Sequence, residues 1–228
     1  MILKALLVVV TLCSAAALRS MQHTRYRGTW KDRTRLCRTQ SGSEGEQDKP
    51  KLLRNIDGFL ESRNNDLFSY ADCTNLGPNA ESSVLGVLFL ATNLPYLWVG
   101  VHLMSNRPEY NLLNAAGVIS FVYHFFQLQL GPGRIEVRRA LFVDYITAIQ
   151  ASFVFGFDCL ELLVNLRDPI TGQLSTTSVY PFVTGAVALL CLWRSAVVDS
   201  NGKKYIFWHG LWHLFGAAVA YEVGLGAH

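Results

Sequence analysis

Near its carboxyl end the chain reads Trp208-His209-Gly210-Leu211-Trp212-His213, two imidazoles four residues apart inside an apolar stretch where a polar group is costly to bury. On a helix, residues at i and i+4 share one face with Cβ atoms about 5–6 Å apart, a spacing that lets both rings ligate one metal ion. Two histidines leave a zinc site incomplete. Upstream, Ser120-Phe121-Val122-Tyr123-His124 offers a third imidazole with a hydroxyl one helical turn before it, and Leu141-Phe142-Val143-Asp144 supplies a carboxylate in the next apolar run. His124, His209 and His213 are therefore the candidate ligands of a Zn2+ ion. Beside such an ion a carboxylate like Asp144 can orient water and accept its proton, while the metal lowers the water's pKa toward ~7 and polarises a scissile carbonyl. Ser120 can support the developing oxyanion. The chemistry so assembled is hydrolysis of an amide or ester. Each residue also has a plainer use: the histidines as a hydrogen-bonded clamp between helices, Asp144 as an ion-pair partner of Arg138 or Arg139, and Ser120 as a cap on a backbone carbonyl.

These groups must be carried by long apolar elements. Half of the 228 residues are hydrophobic and only 16% are charged. The apolar residues gather into blocks at roughly 84–104, 111–130, 140–164, 179–197 and 204–226. Each approaches the ~20 residues that a helix needs to cross a bilayer. The expectation is an all-α, polytopic membrane bundle of five transmembrane helices over residues 81–228. Residues 1–18, with Lys4, a short apolar core and Ala15-Ala16-Ala17, fit a signal peptide. An uncleaved sixth span is the competing reading.

Consecutive spans alternate direction, which tests the site internally. His124 is near the end of the second span, Asp144 near the start of the third, and His209 and His213 near the start of the fifth, so all four fall at one membrane face. At 1.5 Å rise per residue, His124 lies roughly 10 Å inside the Gly131-Pro132-Gly133 turn, with Asp144 and His209 at similar depth. A cleaved signal places that face in the lumen or outside. Arg134, Arg138, Arg139, Arg194, Lys203 and Lys204 in the site-side loops argue the reverse by the positive-inside rule. Asp158 and Glu161 lie toward the far end of the third span and Glu222 toward that of the fifth, where solvation at the opposite face accounts for them. Asn93 and Gly216 are read as helix-packing residues, and His102, Trp208 and Trp212 carry no chemistry.

Residues 19–80 read as a polar, largely flexible segment. Arg19, Arg25, Arg27, Lys31, Arg33, Arg35 and Arg38 face only Asp32, but no aromatic stacking platform accompanies them. The run therefore points to anionic headgroups of a lipid bilayer and not to nucleic acid. Residues 39–50 read as a linker, and 51–63 as a short amphipathic helix suited to a membrane surface. Cys37 and Cys73 share this segment and can bridge if it is lumenal.

A serine four residues before a histidine, an aspartate on the next helix and a late His-x-x-x-His resemble the CREST superfamily of transmembrane metal hydrolases, which includes alkaline ceramidases, progestin/adiponectin receptors and the branch of myomaker and the post-GPI-attachment phospholipase. Ser120, His124, Asp144, His209 and His213 carry the pattern, and Trp212 matches a His-x-x-Trp-His form. Tyr123-His124 before Gly131-Pro132-Gly133 is similar to the myomaker and phospholipase branch, and Thr92-Asn93-Leu94-Pro95 to a first-span motif of alkaline ceramidases. The resemblance implies zinc on the three histidines, with the aspartate and serine handling water and intermediate. Family members have seven spans where five are read here, so walls of the lipid pocket are missing and a homo-oligomer is one way to complete it. The implied function is zinc-dependent cleavage of an amide or ester bond in a membrane lipid, ceramide-like or a GPI/phospholipid, in a membrane of the secretory pathway (ER, Golgi or plasma membrane) or of an organelle. The alternative is a non-catalytic lipid sensor, receptor or fusion factor with a structural metal.

Overall fold

The computed structural model describes residues 50–62, 80–131, 134–164, 176–197 and 202–226, and these are helical without strands. The expected signal peptide, the basic run and the Cys37–Cys73 pair lie outside them. Helix α1 spans Lys51–Ser62, α2 Val84–Ala91, α3 Leu94–Met104, α4 Asn111–Leu130, α5 Ile135–Val164, α6 Thr176–Val197 and α7 Gly202–Gly226. Short 3-10 turns at Ala80–Ser82 and Pro108–Tyr110 precede α2 and α4.

The first apolar block is not one straight helix. It breaks at Thr92–Asn93, and Pro95 opens α3, a position where its missing N–H costs nothing. Asn93, fully buried, repairs the break by donating Nδ2–H to the Leu90 carbonyl at 3.1 Å. At the start of α2, Ser83 accepts from the Gly86 N–H at 3.0 Å and donates to the Ala80 carbonyl at 2.6 Å. Two stretches, Val84–Met104 and Ile135–Val164, are long and apolar enough to cross a membrane. Large apolar side chains point outward along the bundle, among them Val84, Leu88, Trp98, Val101, Ile149, Phe153, Phe157, Leu190 and Phe207.

Helix α7 is the spine: it packs along α6, against α2 and α3, and against α5. Helix α4 lies between α3 and α5. One core cluster joins Phe89, Tyr123, Leu128, Val137, Leu141, Tyr205 and Ile206 at the end where α4 meets α5, and a second joins Val99, Leu103, Tyr110, Leu113, Ala217 and Ala220. The amphipathic helix forms where expected but does not lie free on a surface. It docks on α5 with Leu60 wholly buried in the first cluster, and Arg139 forks onto Asp57 through Nε at 2.7 Å and Nη2 at 2.5 Å.

Asp158 corrects the expectation of solvation. Only 4% exposed, it accepts from Arg107 Nη2 and from the Tyr110 hydroxyl, each at 2.6 Å, which satisfies a carboxylate that burial would otherwise penalise heavily. Burial, with this carboxylate alongside, pushes the Tyr110 phenol above its ordinary range. Glu161 is exposed as expected, whereas Glu222 accepts from Thr184 at 3.3 Å.

Candidate metal centre

Helix α4 is apolar enough to be buried along one side, and there it presents His124. Helix α7 presents His209 and His213 one turn apart. The three rings meet as a nearly equilateral triangle, with centroids 5.0 Å apart for His124–His209, 5.0 Å for His124–His213 and 4.8 Å for His209–His213. One candidate ligand atom from each lies within 4.8 Å of the others. The rings are 0%, 9% and 2% exposed. The three buried histidines could hold a metal ion, as their spacing and depth in the sequence implied.

The surrounding hydrogen bonds assign the tautomers. His124 Nδ1 meets Gln127 Oε1 at 2.9 Å, and an amide oxygen can only accept. His213 Nδ1 meets Thr92 Oγ1 at 2.9 Å, and Thr92 already spends its proton on the Phe89 carbonyl at 2.6 Å. His209 Nδ1 meets Ser195 Oγ at 3.3 Å, and Ser195 spends its proton on the Leu192 carbonyl at 2.7 Å. All three Nδ1 atoms are thus donors, and Nε2 keeps the lone pair in each ring. That is the arrangement in which outer partners orient metal-binding imidazoles. His124 Nε2 is buried with no hydrogen-bond partner, an atom whose neglect costs ~1–3 kcal/mol unless something accepts its lone pair. A metal ion would satisfy that lone pair, and three neutral imidazole nitrogens are a donor set suited to zinc.

Aromatic rings wall the triangle. Phe89 stands 4.6 Å from His124 and stacks on His213 at 5.8 Å, and Tyr205 stacks on His209 at 4.9 Å. Gly210 allows α7 this close to the α2–α3 break, since a Cβ there would meet Thr92 Cγ2 at 3.3 Å.

Asp144 on α5 is half-buried and hydrogen-bonded by the Ser120 hydroxyl. The sequence allowed it an ion pair with Arg138 or Arg139. Among the described residues neither forms: Arg139 is taken by Asp57, and the buried Nε of Arg138 has no partner. Asp144 stays outside the cluster of candidate ligand atoms, and Ser120, which could have capped a carbonyl, engages it instead.

Sequence reasoning missed Gln127, Thr92, Ser195 and Phe89. Gln127 was within reach, three residues after His124 on the same face. Thr92 and Ser195 act across helices, where local spacing carries no signal.

No protein-family model matches the chain, and neither a curated protein nor a solved structure matches it.

Proposed function

We propose that the protein is a membrane-embedded, zinc-dependent hydrolase that cleaves an amide or ester bond of a lipid, ceramide-like or a GPI/phospholipid, with the substrate entering between helices. The observation that carries this reading is the set of three buried imidazoles, each held at Nδ1 by an acceptor, on two helices that both pack against α5, whose Asp144 carboxylate has no ion pair among the described residues. The outward apolar side chains support five spans, since a band of exposed Phe, Trp, Leu and Val has no place on a surface facing water. A secretory-pathway membrane (ER, Golgi or plasma membrane) is the proposed setting, and the CREST pattern of the five site residues supports the same chemistry.

When bound, zinc would polarise the scissile carbonyl and make water a nucleophile near neutral pH. Asp144 accepts a proton from the attacking water and returns it to the departing nitrogen or oxygen. Ser120 fixes the carboxylate through its hydrogen bond. The aromatic walls exclude bulk water, which strengthens each polar contact inside.

A second reading draws on the full burial of His124 and the packing of Phe89 over the rings: a non-catalytic lipid sensor, receptor or fusion factor whose metal staples α4 to α7. Purified wild type and Asp144→Ala, each assayed with ceramides, glycerophospholipids and GPI lipids, distinguish the two. The hydrolase reading expects turnover that falls ~10²–10⁴-fold in the variant with its metal retained. Equal product formation in the two proteins would reject Asp144 as the base, and no turnover by metal-loaded wild type would favour the staple.

A further inference from the structure

Ser120 is placed to hydrogen-bond Asp144, and a hydroxyl so engaged leaves the oxyanion of a hydrolysis in need of another donor. Tyr96 is built into position for that task. It sits on α3 with its ring 6.3 Å from that of His213, inclined at 76°. It threads between glycines on the two helices that carry the histidines. A Cβ on Gly117, one turn before Ser120, would press on Tyr96 Cβ at 3.1 Å. A Cβ on Gly216, one turn beyond His213, would overlap the Tyr96 hydroxyl. The two missing side chains let the phenol pass and bring its oxygen against α7 one turn beyond His213. From there it is within electrostatic range of Asp144, the group that handles the water.

We infer that Tyr96 is a catalytic residue whose phenolic O–H donates a hydrogen bond to the oxygen of the scissile carbonyl as that oxygen becomes negative, while Ser120 is the positioning residue of Asp144. This rests on the hydrolase reading. Water oxygen bonds to the carbonyl carbon, the π pair moves to the carbonyl oxygen, and the water proton passes to Asp144. Reforming the C=O bond expels the leaving group, which takes that proton, giving a carboxylic acid and an amine or alcohol. The phenol keeps its proton throughout. A donor aimed at an oxyanion in a dry site is worth far more than the same contact in water.

The test is acetohydroxamate binding to the cobalt-substituted full-length protein in detergent, read from the visible bands of the metal. Tyr96→Phe should take up cobalt like wild type yet bind the hydroxamate ~100-fold more weakly. Gly216→Ala, which displaces the hydroxyl, should weaken binding similarly, and the double variant should be no worse than either alone. Equal hydroxamate affinity in wild type and Tyr96→Phe at equal cobalt content overturns the role of Tyr96 and leaves the hydrolase reading standing. A folded wild type that takes up no cobalt overturns both. Should Tyr96→Phe not fold, Gly216→Ala alone decides, and unchanged affinity there counts against the proposal.

Discussion

Thr92 and His213 are 121 positions apart and meet at 2.9 Å, the threonine oxygen receiving the Nδ1 proton of the imidazole. The break between α2 and α3 makes this contact. The Thr92 hydroxyl donates to the Phe89 carbonyl inside that break, which turns its lone pair toward His213. A helix interruption thereby sets the tautomer of a candidate ligand.

Thr92→Val keeps the shape and removes the acceptor. It is expected to weaken zinc binding ~10–100-fold, measured by competition with a chromophoric chelator, whereas Thr92→Ser keeps affinity near wild type.

Gln127→Leu tests the same relationship on His124. Losing the Oε1 acceptor frees the imidazole tautomer and should again weaken zinc binding ~10–100-fold. An unchanged chelator titration would mean that packing by Phe89 and Tyr123 alone orients the ring.

At the opposite end of the bundle, Arg107→Ala strands the buried Asp158 carboxylate. The cost expected for breaking a buried pair is ~3–5 kcal/mol, seen as a lower unfolding midpoint in detergent. Adding Asp158→Asn should recover part of that loss, because the charge left unpaired is removed with its partner.

Docking of α1 through Asp57 and Arg139 is partly solvent-exposed and is worth no more than ~1 kcal/mol. Leu60, wholly buried, contributes more, and Leu60→Ala should cost ~2–5 kcal/mol locally. Hydrogen exchange over residues 51–62 is expected to speed up strongly in Leu60→Ala and only slightly in Asp57→Asn.

Much of this was legible in the chain because long helices announce themselves by apolar runs. The block at 111–130 is α4 to the residue, and the histidines at i and i+4 share a face as helical geometry requires. The third block starts at Ile135 and not near 140, since α5 takes in Arg138 and Arg139, charges that hydropathy excludes but a docked α1 accommodates. The amphipathic pattern of 51–63 showed a helix without showing what covers its apolar face. Asp158 was misjudged because its partner Arg107 is 51 positions away, and a carboxylate near a helix end looks solvated until its neighbours are known.

Metal content of the detergent-purified protein, compared with that of a His209→Ala, His213→Ala double variant, bears most directly on the proposed centre. The expected result is about one zinc per chain in wild type and none in the variant, as a site of three imidazoles requires. Well-folded wild type without bound metal would contradict the zinc hydrolase and leave the three histidines as a packing cluster between α4 and α7.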